Sequence, residues 1–569
     1  NFMIKGKKFL SAVLTLLVLV VLTAACTSNN SGNTKNSTNN SSNDSKETPS
    51  PTNVTTPAEP KTFRFTLATD PPSLDPGIMT DAQSSIVASG MYEGLMRLNT
   101  DGEPIPGIAE SHTVSPDGLT YTFKLRSNAK WSNGDPVTAQ DFEYSWKRAL
   151  SPELASEYAY ILYYVQGAAE YNSGEGSVDD VKVKAIDATT LEVTLTNPTP
   201  YFISLVTHYT YWPVHQPSVE AREDWAIDAS TIVTNGPFLL TEWKHNDKLV
   251  LTKNPDYHNV AAINFDEVTI YLVEDDNTVF NMFQNNEIDW IGAQAGSVPT
   301  AHNAAVIASG EAEVKDISSA YYYIFNTTEP PFNNVKIRKA FAMSVDRQAL
   351  IDNVTQANQT PAYGLVPGSI AGVDGKSFRE LYPDTVYFSE NVEEAKKLLA
   401  EGLAELNLSS FPDLTLIYNT NETHKVVAEA IVDMWRSHLG VNLSLENSEF
   451  GTFLETRSAQ QFSIARAGWG ADFNHAINFT YDLIHSKSGN NDGKYTNPTV
   501  DQLLDDSIKA ATEEERLAKI AEAERIAFQE DMGLLPLYYY TTVTMVKPHI
   551  VNVVSDYAGH IDWINGDIK

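Results

Sequence analysis

The chain has 569 residues and carries 40 Lys and Arg against 73 Asp and Glu, a formal net charge of −33, the wrong sign for grasping a nucleic-acid backbone. At roughly 150 residues per domain the length predicts two to four domains, and a 42% apolar content is enough for sizeable cores. A single cysteine excludes internal disulfides and any multi-cysteine metal site.

The first predicted element is an address. Lys5, Lys7 and Lys8 precede an uncharged run over 9–22 and the small residues Thr23, Ala24 and Ala25, the three-part layout of a secretory signal over 1–25. The alternative, a membrane-spanning anchor, needs about 20 apolar residues and this run is marginal for it. Residues 26–61 are rich in Asn, Ser, Thr and Pro, cannot bury enough apolar surface to offset ordering entropy, and read as a flexible tether. The sole cysteine, Cys26, opens that tether.

From Thr62 a mixed α/β pattern begins. Residues 63–67, 119–125, 191–195, 268–272, 414–418, 443–445 and 535–540 read as strands. Thr138-Ala-Gln-Asp141 reads as a capping box opening a helix over 142–150. Residues 392–402, 424–440 and 512–531 show the 3.6-residue period, with Gly402 and Gly440 as C-caps. No internal repeat is present, and the irregular order of strands and helices suits an α+β or mixed-sheet architecture in several lobes. The signatures His-Glu-x-x-His, Gly-x-Ser-x-Gly and Gly-x-Gly-x-x-Gly after a strand are missing. Gly375-Lys376-Ser377 lacks the earlier glycine of a phosphate loop, having Ile370 there.

Seven ordered blocks carry a resemblance. They are Ser73-Leu-Asp-Pro76 leading to Tyr92-Glu-Gly-Leu95 and Pro106-Gly-Ile-Ala-Glu110; the stretch from Tyr121 through Ala129-Lys-Trp-Ser-Asn-Gly134 to Tyr144-Ser-Trp-Lys-Arg148; Val233-Thr-Asn-Gly236; Pro331-Phe-Asn-Asn-Val335; Ile464-Ala-Arg-Ala-Gly-Trp469; Ala471-Asp-Phe-Asn474; and Pro536-Leu-Tyr-Tyr-Tyr540. Together they resemble the peptide-binding solute receptors of ABC importers, the oligopeptide-binding proteins. Ala24-Ala25-Cys26 is similar to the lipobox of bacterial lipoproteins, although Thr23 stands where that motif usually has Leu.

The resemblance implies an α/β (mixed α+β) fold, a two-lobed clamshell of the periplasmic-binding-protein type with an extra inserted subdomain. Lobe I would comprise 62–92, 216–318 and 542–569, the inserted subdomain 93–215, and lobe II 319–541. It implies a monomeric lipoprotein, lipidated at Cys26 and held at the extracytoplasmic face of the cell membrane. This lipoprotein would capture short oligopeptides of three to five residues and deliver them to ABC permease subunits, with no metal or organic cofactor and no catalysis. The same scaffold carries dipeptides, signalling peptides, nickel and oligosaccharides, and a secreted hydrolase is the rival class.

A receptor for many peptides can rely only on what they share, a backbone and two charged ends. Family positions place the ammonium on Asp472 and the carboxylate on Arg457, Arg466 and His424, the last acting best when protonated. Backbone pairing falls to the small-residue run at Gly468, Trp469 and Gly470, opposite Thr80, Asp81 and Ala82. Pocket walls fall to Tyr158, Tyr322, Phe450, Trp469 and Tyr540, with Gln294. Phe450 replaces a family tryptophan, and Ala293 with Gln294 replaces a pair of asparagines.

Overall fold

The computed structural model describes residues 59–100 and 102–569. The expected signal over 1–25, the Cys26 lipidation site and the tether as far as 58 lie outside the described residues. Strand β1 (Thr62–Leu67) buries Phe63, Phe65 and Leu67 completely, as its alternation predicts. Helix α1 (Ala82–Met91) follows, started by Asp81, whose side chain accepts the Ser84 N–H.

The chain then builds a second sheet from β2 (Ala109–Val114), β3 (Thr120–Leu125), β4 (Val183–Asp187) and β5 (Thr190–Thr194), in the antiparallel order β2-β3-β5-β4. Helix α2 (Ala139–Ala149) covers it, burying Phe142 and Trp146 four positions apart. The predicted cap is present: the Thr138 N–H donates to Asp141 Oδ2 at 2.7 Å. The chain returns through β6 (Phe238–Lys244), β7 (Lys248–Lys253) and β8 (Glu267–Leu272) to complete the first sheet, β1-β8-β7-β6, with β1 parallel to β8. Helix α3 (Asp276–Gln284) follows.

The third sheet is the largest. It uses β9 (Trp290–Ile291), β10 (Glu313–Phe325), β11 (Thr360–Pro361), β12 (Leu414–Asn419), β13 (Leu443–Ser448), β14 (Ile464–Gly470) and β15 (Leu534–Val546). Its order is β9-β15-β10-β14-β12-β13, with β11 added to β15. Helices along this part of the chain include α4 (Val335–Met343), α5 (Val392–Glu405), α6 (Glu422–Leu439), α7 (Phe450–Ser458), α8 (Ile477–Ile484) and α9 (Glu513–Arg525). Strands β10 and β15 run unbroken past 318/319 and 541/542, and their shared ladder shifts register between Asp316 and Ala320.

One expected cap is corrected. Gly440 does end α6, at φ +69°, but Gly402 lies inside α5, whose C-cap is Leu406. A Cβ on Gly402 would stand 2.6 Å from Ile337 Cγ1 of α4, so this glycine permits a close helix–helix approach. Among the described residues no helix is long and apolar enough to cross a membrane.

Candidate functional site

A cleft of about 540 Å³ is lined by the loop before α1, the segment around Tyr158 and His208, the Gly292–Gln294 turn, the N-terminus of α6, helix α7, the end of β14 and the middle of β15. Of the predicted site residues described, only Tyr322 is not among its lining; it is buried in β10. The others, far apart in sequence, share this one space.

The cleft exposes a strand edge. Strand β14 pairs with β10 along its whole length, from Ile464 opposite Phe325 to Gly470 opposite Ser319. On its other side β12 reaches only Ile464 and Ala465. Two backbone bonds bracket the β10 ladder, Asn326 N–H to Ser463 O at 2.9 Å and Ala471 N–H to Ser318 O at 2.9 Å. Antiparallel alternation then turns the backbone groups of Ala467 and Trp469 toward β10, and those of Arg466, Gly468 and Gly470 outward to the unpaired side. Two of those outward positions are glycines, which let another chain approach.

At the C-terminal end of that edge stands Asp472, its side chain 14% exposed. The Asp472 N–H donates to Asn478 Oδ1 at 2.8 Å, and Asn478 Nδ2 donates to Asp472 Oδ2 at 3.0 Å. The other carboxylate oxygen faces His208 Nε2 at 3.5 Å. His208 Nδ1 accepts the Thr210 N–H at 3.2 Å, which leaves the ring proton of the neutral imidazole on Nε2. Tyr158 joins this end, its ring 4.8 Å from His208 and stacked at 6.2 Å on Trp469.

At the other end Arg466 is held by neutral partners alone. Its Nη2 donates to Tyr540 Oη at 2.8 Å, Nη1 to Asn419 Oδ1 at 3.3 Å, and its guanidinium lies 5.0 Å above the Tyr321 ring. Among the described residues its buried Nε finds no hydrogen-bond partner, nor does Trp469 Nε1, while His208 Nε2 has only Asp472 Oδ1, at 3.5 Å.

The other two expected cations differ from expectation. Arg457 is already engaged, donating to Asp492 Oδ2 through Nε at 3.0 Å and Nη2 at 2.7 Å. His424 is held neutral: burial, and then the charge of Arg466, push its imidazole well below the usual range. It therefore adds no positive charge at neutral pH. Asp81 spends its carboxylate on capping α1. Phe450 opens α7 half-buried, and exposed Gln294 follows Ala293 in a turn where both have positive φ.

Sequence reasoning missed Asn478, His208 and Asp492. Asn478 sits in a helix with no charge to mark it, and the other two meet the site only through tertiary packing. Among the described residues no group of three His, Cys, Asp or Glu is placed to hold a metal ion.

A cleft with an open strand edge and opposite polar character at its two ends is the site of a solute receptor. The family model of bacterial extracellular solute-binding proteins, family 5 (middle region) matches residues 103–491, and the chain belongs to this family. It is 39% identical over 513 residues to the oligopeptide-binding protein OppA of Bacillus subtilis, covering 89% of this chain and 93% of that protein. It resembles the solved Haemophilus influenzae OppA complex with RPPGFSPFR at 33% identity and TM-score 0.84, over 90% of this chain and 99% of that one. The Escherichia coli murein tripeptide binding protein MppA is matched at 29% identity and TM-score 0.82, over 90% of this chain and 99% of that one. MppA in an unliganded open form is matched at 29% identity and only 0.60, over 90% and 98%. The arrangement described here thus differs from that open form more than from the peptide complex.

Proposed function

We propose that this chain is an extracytoplasmic receptor that captures short oligopeptides and hands them unaltered to an ABC permease. The observation that carries this reading is the unpaired edge of β14, which runs from a carboxylate-free buried guanidinium, Arg466, to the cleft-facing carboxylate of Asp472. The permease is inferred from the family resemblance. The sequence before Thr62 supports secretion and a lipid anchor at Cys26.

A peptide lying along this edge would pair its backbone with Gly468 and Gly470, with Thr80, Asp81 and Ala82 as the facing wall. Its ammonium would meet Asp472 and its carboxylate would take the free N–H groups of Arg466, which can bind bidentately. The anchors are six positions apart along a chain that is strand as far as Gly470, about 20 Å at full extension. An extended peptide of three to five residues spans about 10–18 Å, and the arginine side chain closes the difference. Arg457 would serve a longer peptide only by leaving Asp492, and neutral His424 would donate a hydrogen bond rather than a charge. Tyr158, Phe450, Trp469, Tyr540 and Gln294 would wall the side-chain pockets, with Tyr322 supporting them from within β10.

The register shift in the β10–β15 ladder suits a hinge between lobe I, formed by 62–92, 216–318 and 542–569 with 93–215 inserted, and lobe II, formed by 319–541. A ligand contacting both lobes would favour the closed arrangement.

Calorimetry on a two-by-two set tests the reading, pairing wild type and Asp472→Ala with trialanine and N-acetyltrialanine. The mutation should weaken trialanine binding by roughly 2–5 kcal/mol, the range for orphaning one partner of a buried charge pair. Acetylation should add little to that loss, since both changes delete the same pair. Fully additive losses would mean that Asp472 and the amine do not meet.

A further inference from the structure

Behind Asp472 lies a second carboxyl that the binding reading does not use. Asp482, on α8, is buried, and Asn478 sits between the two. One amide hydrogen of Asn478 goes to Asp472 Oδ2 and the other to Asp482 Oδ2, while its oxygen accepts the Asp472 N–H. Both hydrogens and the oxygen are committed, and the reversed amide would set its NH2 against the Asp472 N–H and its oxygen against the Asp472 carboxylate. The orientation is therefore fixed by the network.

We propose that Asn478 is the positioning residue of the ammonium anchor and that Asp482 behind it is a neutral acid, so that the site presents one fixed negative charge, on Asp472, instead of two. This rests on the reading of Asp472 given above.

Two ionised carboxylates sharing one amide would repel each other, and their surroundings decide which keeps the proton. Asp472 opens to the cleft, where the ligand's charge can meet it. Among the described residues no cation acts on Asp482; burial, and then the charge of Asp472, push its carboxyl well above the usual range. Tyr160, Tyr164 and Tyr481 face Asp482. Tyr160 accepts a hydrogen bond from Asn490 Nδ2 at 3.0 Å, which leaves its own hydrogen for Asp482. Tyr158, His208, Tyr209, Tyr557 and His560 face Asp472. Burial works against a charge on His560, but Asp556 and then Asp472 more than offset it and hold its imidazole above the usual range.

One charge suits a monovalent ammonium; two would suit a divalent cation. The arrangement thus selects for a free amine while keeping the carboxylate that meets it from swinging away.

The test is calorimetry at pH 7 with trialanine and N-acetyltrialanine on wild type, Asn478→Ala and Asp482→Asn. Wild type should prefer the free amine. Asn478→Ala should lower trialanine affinity roughly 10- to 100-fold and leave the acetylated peptide unchanged, collapsing that preference. Asp482→Asn exchanges a neutral acid for a neutral amide of the same size, and trialanine affinity should stay within about threefold of wild type. A loss of about tenfold or more in Asp482→Asn would reveal an ionised Asp482 and overturn the proposal. An Asn478→Ala protein that keeps the wild-type preference would also overturn it. If Asn478→Ala does not fold, Asp482→Asn still decides. A wild type with no preference for the free amine would instead remove the Asp472 reading itself, so the two failures are distinct.

Discussion

Asp276, the first residue of α3, carries the most testable protonation in the cleft wall. It is buried, and Asn421 Nδ2 at the start of α6 donates to its Oδ2 at 3.4 Å. Burial, and then the charges of Asp275 and Glu422, push its carboxyl to about 7. A folded value above the unfolded one means that protonation favours the fold, so the stability is present below about pH 4 and is lost as pH rises to about 7. Asp276→Asn should therefore raise the unfolding free energy at pH 8 by ~2–4 kcal/mol and leave it nearly unchanged at pH 4. Urea titrations at the two pH values check this; an equal gain at both would assign the effect to packing. At this scale the sequence was legible where cleft-lining residues lie close together in the chain, as Arg466 on β14 and Asp472 just past it do. It was silent where a residue acts through another, as Asn478 does, because an uncharged side chain inside a helix carries no local mark. Nor could it tell that Asp492 already holds Arg457, since that pairing exists only in the folded chain.

Burial on both faces did not by itself hide a strand, since 535–540 of β15 was read although Leu534–Tyr539 are all buried. Strand β1 alternates and was found; β10 was not, because its polar first half gives way to nine buried residues from Ile317 to Phe325 with no alternation to read. The misread glycine of α5 has a different origin. Its sequence position resembles a helix end, while the reason for it is the surface of α4. Gly402→Ala decides between the two accounts. A solvent-facing site would gain up to about 1 kcal/mol from alanine's helix propensity. Here the added methyl meets Ile337 Cγ1 at 2.6 Å and Asn334 Oδ1 at 2.9 Å, and overpacking costs about 1–3 kcal/mol. The variant should be less stable in urea by ~1–2 kcal/mol, and a gain would show that α4 and α5 part easily.

Across the whole molecule, a sheet that stops short on one side of β14 supplies the cleft with backbone groups, Arg466 and Asp472 on and just past that strand supply charge, and loops and helices remote in sequence supply the partners that hold them. That division explains why ordered sequence blocks sufficed to recognise the family but left the detailed site unread. The blocks are largely the framework; the satisfied or unsatisfied state of each polar group is a property of the assembled structure. The account's central claim is that a peptide becomes an added strand on the outward face of β14. Hydrogen exchange read residue by residue, with and without saturating trialanine, tests it most directly. The amides of Gly468 and Gly470 should gain protection with ligand, while those of Ala467 and Trp469, already bonded to β10, should change little. A uniform change from Ala467 to Gly470, or none at all with saturation established, would contradict strand addition.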